Sequence, residues 1–150
     1  MKKIVCLLSL VLLLSACSHV AGLESYSKDV LTEGKNLLFI WQPQCGHCEE
    51  ELKELEGLYK NYDMNIISVG VNDTEDAYRE KIEEWGLSFP TYQATEEYFE
   101  EVKTMTSETP SIFFLKEDGT IFKETQVGRA ENLKELLDTV QEYDIPVCHF

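Results

Sequence analysis

Five apolar residues in a row, Leu37-Leu38-Phe39-Ile40-Trp41, run into Pro43 and then into Cys45-Gly46-His47-Cys48. From Cys48 onward the apolar residues Leu52, Leu55, Tyr59 and Tyr62 recur at steps of four, three, four and three. An unbroken apolar run of strand length suits a strand covered on both faces, whereas steps of three and four place side chains on one face of a helix of about four turns. Strand, turn and helix therefore follow in that order, with two thiols where the helix begins. Cys48 starts the buried stripe and Cys45 lies at the helix tip.

The same alternation continues downstream. Met64 to Val71 reads as a second strand, and Thr74 caps a helix through Ala77, Tyr78, Ile82 and Trp85 that Gly86 ends. Leu87 to Tyr92 is extended around Pro90, and Glu96 to Met105 is a short helix with Tyr98, Phe99 and Val102 inward. Ile112 to Leu115 and Thr120 to Phe122 flank Asp118-Gly119 as a hairpin, and a last helix carries Leu133, Leu136, Leu137 and Val140. Strands alternating with helices and closing in a hairpin give an α/β sandwich, a mixed sheet with helices on both faces. At 150 residues and 43% apolar, one core is expected. The 28 acidic residues outnumber 13 basic ones, for a net charge of −15, and no basic patch is visible, which argues against nucleic acid as a partner.

The first residues obey a different logic. Met1-Lys2-Lys3 precedes thirteen uncharged residues, Ile4 to Ala16, too short to span a bilayer as a mature helix and typical of an export signal. The run ends Leu14-Ser15-Ala16-Cys17, which resembles the lipobox of bacterial lipoproteins, where cleavage precedes a Cys that carries diacylglycerol. The expected division is a lipoprotein signal peptide over 1–16, a lipidated tether over 17–34 and a single domain over 35–150. Acyl chains on Cys17 would hold the domain extracytoplasmically on the bacterial cell membrane, where disulfides persist.

With Cys6 in the signal and Cys17 lipidated, Cys45, Cys48 and Cys148 remain. The C-x-x-C pair could be a redox dithiol or half a zinc site. Zinc would require a second C-x-x-C or a spaced His pair, and only His19, His149 and Cys148 are on offer, so no metal is expected. A merely structural disulfide is disfavoured, because closing a two-residue loop removes little chain entropy.

Phe39 to Cys48 resembles the active-site strand and turn of thioredoxin-fold oxidoreductases: apolar strand, W-x-P-x-C, second Cys and long helix. Thr109-Pro110-Ser111 ahead of Ile112-Phe113-Phe114-Leu115 resembles that fold's cis-proline loop, and Val127-Gly128 stands before the last helix. The inserted helix and Leu87-Ser88-Phe89-Pro90 resemble the membrane-anchored TlpA/ResA branch. The resemblance spans about residues 35 to 145 and implies a thioredoxin-like three-layer sandwich. It also implies a cis Thr109–Pro110 bond and substrate contact at Trp41, Thr109 and Pro110. Two departures stand out: Gln44 where an aromatic residue usually precedes the first Cys, and Lys53 where this branch usually has a proline, a change expected to straighten the helix.

On this reading Cys45 is the nucleophile, because a helix N-terminus stabilises a thiolate, and Cys48 is the shielded resolving thiol. His47 either stabilises the Cys45 thiolate or is simply solvent-exposed. Glu49 and Glu50 suit the helix dipole. Glu51, three residues after Cys48, leans toward the buried stripe beneath the sulfurs; it should have a raised pKa and exchange protons with Cys48, and it matches the acidic residue of TlpA/ResA-like reductases. The expected activity is that of a protein thiol–disulfide oxidoreductase, working as a monomer with no cofactor beyond the Cys45–Cys48 disulfide. Reduction of disulfides in exported proteins is favoured, with electrons from a transmembrane thiol donor of the CcdA/DsbD type. The Gly-His dipeptide leaves an oxidase or isomerase open. A copper- or zinc-binding chaperone using Cys45 and Cys48, with Cys148 and His149, is the reading from a different class.

Overall fold

In a computed structural model, residues 23–143 are described. Five strands and four helices follow one another as β1 (Asn36–Trp41), α1 (Gly46–Leu58), β2 (Asn65–Gly70), α2 (Glu75–Trp85), β3 (Thr91–Gln93), α3 (Glu96–Met105), β4 (Ser111–Leu115), β5 (Ile121–Val127) and α4 (Leu133–Gln141). The sheet order is β3-β2-β1-β4-β5. β1 runs parallel to β2 and antiparallel to β4, so the sheet is mixed and β1 is its middle strand.

Every residue of β1 is buried, which is why its apolar run shows no alternation. Its side chains nevertheless divide between two cores. Leu37, Phe39 and Trp41 join Cys48, Leu52 and Leu55 of α1, Tyr78 and Trp85 of α2, and Leu133, Leu137 and Val140 of α4. Leu38 and Ile40 face the other way, toward Tyr98 and Val102 of α3. Each fully buried Leu or Phe of this kind contributes about 1.5–3 kcal/mol by leaving water. The result is a three-layer α/β sandwich of thioredoxin-like architecture.

Local chemistry sets the helix ends. The Thr74 and Thr95 side chains accept from the N–H groups of Ala77 and Tyr98, and Gly86 stops α2 at φ 68, a left-handed backbone that favours glycine. Gly70 answers to packing instead, since a Cβ there would lie 2.6 Å from the Tyr78 ring.

Three expectations change. The tether over 17–34 does not hold for its second half: Tyr26 and Leu31 are buried against the α3 face, and Ser25 pairs with Gln93 at the edge of β3. That stretch packs because Tyr26, Val30 and Leu31 offer enough apolar surface to bury, although their spacing has no period. α1 ends at Leu58 and a short 3-10 turn follows, leaving Tyr62 beyond the helix, where its hydroxyl donates to Asp138. β5 runs to Val127 rather than stopping at Phe122; its polar residues fit an edge strand, paired with β4 alone among the described residues. Across Lys53 the helix is continuous, with Lys53 Nζ 2.6 Å from Glu49 Oε1. The signal, Cys17, His19, Cys148 and His149 lie outside the described residues.

Candidate active site

The C-terminal end of β1 delivers the chain to Pro43, and α1 begins immediately after Cys45. Cys45 and Cys48 are joined by a disulfide with their Cα atoms 5.2 Å apart. Cys45 caps the helix: its sulfur accepts the Cys48 N–H at 3.2 Å. That contact, together with the helix dipole, would stabilise a thiolate at the same place in the reduced protein. Cys45 is half-buried, whereas Cys48 has 0% exposure and belongs to the core of Leu52 and Leu55. The two sulfurs are thus unequal in access although three residues apart.

The Thr109–Pro110 peptide bond is cis, and the Thr109 carbonyl oxygen lies 3.4 Å from the Cys45 sulfur. Thr109 is half-buried and Pro110 buried. Pro110 in turn accepts the Gly128 N–H at 2.8 Å, which ties the turn after β5 to the same loop. The cis-proline loop therefore meets the more accessible of the two sulfurs through the Thr109 carbonyl.

Glu51 has only 2% of its surface exposed. Oε1 accepts the Ala130 N–H at 3.2 Å, and Oε2 has no hydrogen-bond partner among the described residues. Burial disfavours the charge and raises the pKa to about 7; the Ala130 N–H and Arg129 oppose that rise, while Glu54 adds to it. A carboxyl poised there can take or give a proton near neutral pH.

One sequence expectation needs correcting. Trp41 has no accessible surface: its ring packs at 5.3 Å from Trp85 and 5.7 Å from Tyr78, so it supports the turn from below and meets no substrate. His47, for which sequence reading left both thiolate contact and plain exposure open, is 69% exposed, with its Nδ1 3.8 Å from Glu50 Oε2 while Cys45 is in its disulfide. Gln44 is exposed and donates to Asp73. Sequence reading missed Arg129 and Ala130. Ala130 acts through its backbone N–H, which no side-chain pattern discloses; the neighbouring Gly128 was the one available signal. Among the described residues no group of His, Cys, Asp or Glu could hold a metal ion, and no helix is long and apolar enough to cross a membrane.

A disulfide at a helix tip beside a cis-proline loop on this sheet is the site of a thioredoxin-fold thiol–disulfide oxidoreductase. The chain belongs to the thioredoxin-like domain family, whose model matches residues 27–141. It is 29% identical over 125 residues to the thiol-disulfide oxidoreductase ResA of Bacillus thuringiensis subsp. konkukian, covering 81% of this chain and 69% of that protein. It is 37% identical over 62 residues to ResA of Halalkalibacterium halodurans, a match that covers 39% of this chain and only 35% of that protein. The crystal structure of StoA from Bacillus subtilis superposes with a TM-score of 0.59 at 22% identity, over 71% of this chain and 83% of StoA, which shows a shared fold.

Proposed function

We propose that this chain is a membrane-anchored extracytoplasmic reductase of disulfides in exported proteins. The observation that supports the reading is a fully buried thiol, Cys48, with a buried carboxyl, Glu51, three residues further along the same helix, a proton acceptor for the resolving step. In the reduced protein the Cys45 thiolate attacks one sulfur of a substrate disulfide. A mixed disulfide forms and the second substrate sulfur leaves as a thiolate. Cys48 gives its proton to the Glu51 carboxylate and attacks the Cys45 sulfur. The Cys45–Cys48 disulfide forms, the first substrate sulfur leaves, and both electrons end on the substrate. The Thr109 carbonyl and the adjoining backbone border an extended substrate segment beside Cys45. A dithiol donor must then re-reduce the pair; a transmembrane carrier of the CcdA/DsbD type fits a domain that acylated Cys17 holds outside the membrane.

The oxidase or isomerase alternative draws on the Gly46-His47 dipeptide between the two cysteines. The deciding measurement is the reduction potential of the Cys45–Cys48 pair. A value near −270 mV, about that of thioredoxin, is expected, and one near −180 mV, about that of protein disulfide isomerase, would reverse the assigned direction.

A further inference from the structure

Two consecutive residues of α1 meet two consecutive residues of the turn between β5 and α4. Glu50 Oε2 pairs with Arg129 Nη1 at 2.8 Å, and one residue further along each segment Glu51 Oε1 accepts the Ala130 N–H at 3.2 Å. The start of the same turn is fixed independently: Gly128, at φ 74, donates its N–H to the Pro110 carbonyl at 2.8 Å. Three adjacent residues therefore touch the resolving side of the site, through Glu51, and the substrate side, through Pro110.

We propose that Arg129 is a positioning residue of the dithiol site: held by Glu50, it keeps the 128–130 turn on α1 so that the Ala130 N–H stays on Glu51. The inference rests on the reading that Glu51 serves Cys48, and it adds the residues that hold Glu51's single hydrogen-bond donor in place. An ion pair with side chains 52% and 58% exposed adds little to global stability, so its effect is local to the turn it closes. Locally it matters because Glu51 has no other donor among the described residues. If the turn lifts, the buried carboxylate loses its hydrogen bond while keeping its desolvation, and ionisation becomes harder. The other charged group bearing on Glu51 is Glu54, on its own helix, which opposes ionisation. Other charged side chains of the elements around it, among them Glu49 and Lys53 on α1, Lys81 on α2, and Lys134 and Glu135 on α4, are exposed or half-exposed.

The test uses amide NMR on the purified reduced protein, following hydrogen exchange at Gly128 and Ala130 and the pH titration of the Ala130 amide shift, which reports Glu51 directly. Arg129→Gln should speed exchange of the Ala130 amide about fivefold or more. It should also raise the titration midpoint by about half a pH unit. Arg129→Lys should return most of both, and Glu50→Gln should speed exchange as well. The proposal is overturned if exchange is unchanged while Arg129→Gln raises the midpoint and Glu50→Gln lowers it, the signature of charge acting through space. Failure of Arg129→Lys to restore the wild-type values overturns it too. The reading of Glu51 fails separately, if Glu51→Gln leaves the pH dependence of resolution unchanged, because the exchange measurement needs no turnover.

Discussion

The Cys45 sulfur lies 3.4 Å from the Thr109 carbonyl oxygen at the rim of the site, while Cys48, disulfide-bonded to it, has no accessible surface. An incoming disulfide therefore meets Cys45 and the backbone that flanks it together. Cys48 can be reached only through Cys45.

In the reduced protein near neutral pH, Cys45 should be alkylated at least ten times faster than Cys48, since access and thiolate character both favour it. Cys48→Ser should accumulate mixed disulfides through Cys45, because attack still occurs and resolution does not. The trap should be run with Cys148→Ser in the background, so that a third thiol cannot release the partner. Peptide mapping that finds the trapped partner on any other cysteine would overturn the order of attack.

Glu51→Gln should slow the resolution step by about 100-fold above pH 7 and abolish its rise through that region, because the amide cannot accept the Cys48 proton. Glu49→Gln should leave the profile close to that of the wild type. Rapid-quench measurement of mixed-disulfide decay against pH distinguishes the two, and coincident profiles would leave Glu51 without a role in proton transfer.

The same carboxyl has a stability signature. Its ordinary pKa of 4.5 is raised to about 7 in the fold, so between those values the native state keeps a proton that the unfolded chain releases. Stability contributed by this group must then fall as pH rises from about 4.5 to 7, by about 3 kcal/mol in all. Relative to wild type, Glu51→Gln should gain up to that amount above pH 7 and nothing near pH 4.5. Denaturant titration of the oxidised protein across this range gives the slope; a variant that tracks the wild type would show that Glu51 ionises freely.

Cys17→Ser should block cleavage at the lipoprotein site and remove acylation, since the Cys17 sulfur would be the attachment point. Palmitate labelling and detergent partitioning read this directly. An unlabelled wild type that partitions like the variant would exclude the anchor.

Much of the fold and the pair of thiols could be read from local chemistry. The run from Leu37 to Trp41, the stripe from Cys48 through Leu55, the Thr74 cap and the Gly86 stop are each fixed by near neighbours in the chain, because strand and helix periods and capping bonds act over a few residues. The inequality of Cys45 and Cys48 follows from the same stripe. Tertiary packing decided what depends on distant partners. Tyr26 and Leu31 became core only because the α3 face was there to receive them. Trp41, whose sequence motif suggests contact with substrate, was enclosed by Tyr78 and Trp85 from a helix more than thirty residues away. Helical spacing could lean Glu51 toward the sulfurs, yet its one hydrogen bond comes from the backbone of Ala130, 79 positions along the chain. A backbone donor has the same chemistry at nearly every residue, so sequence says that it exists and only the folded chain says where it points.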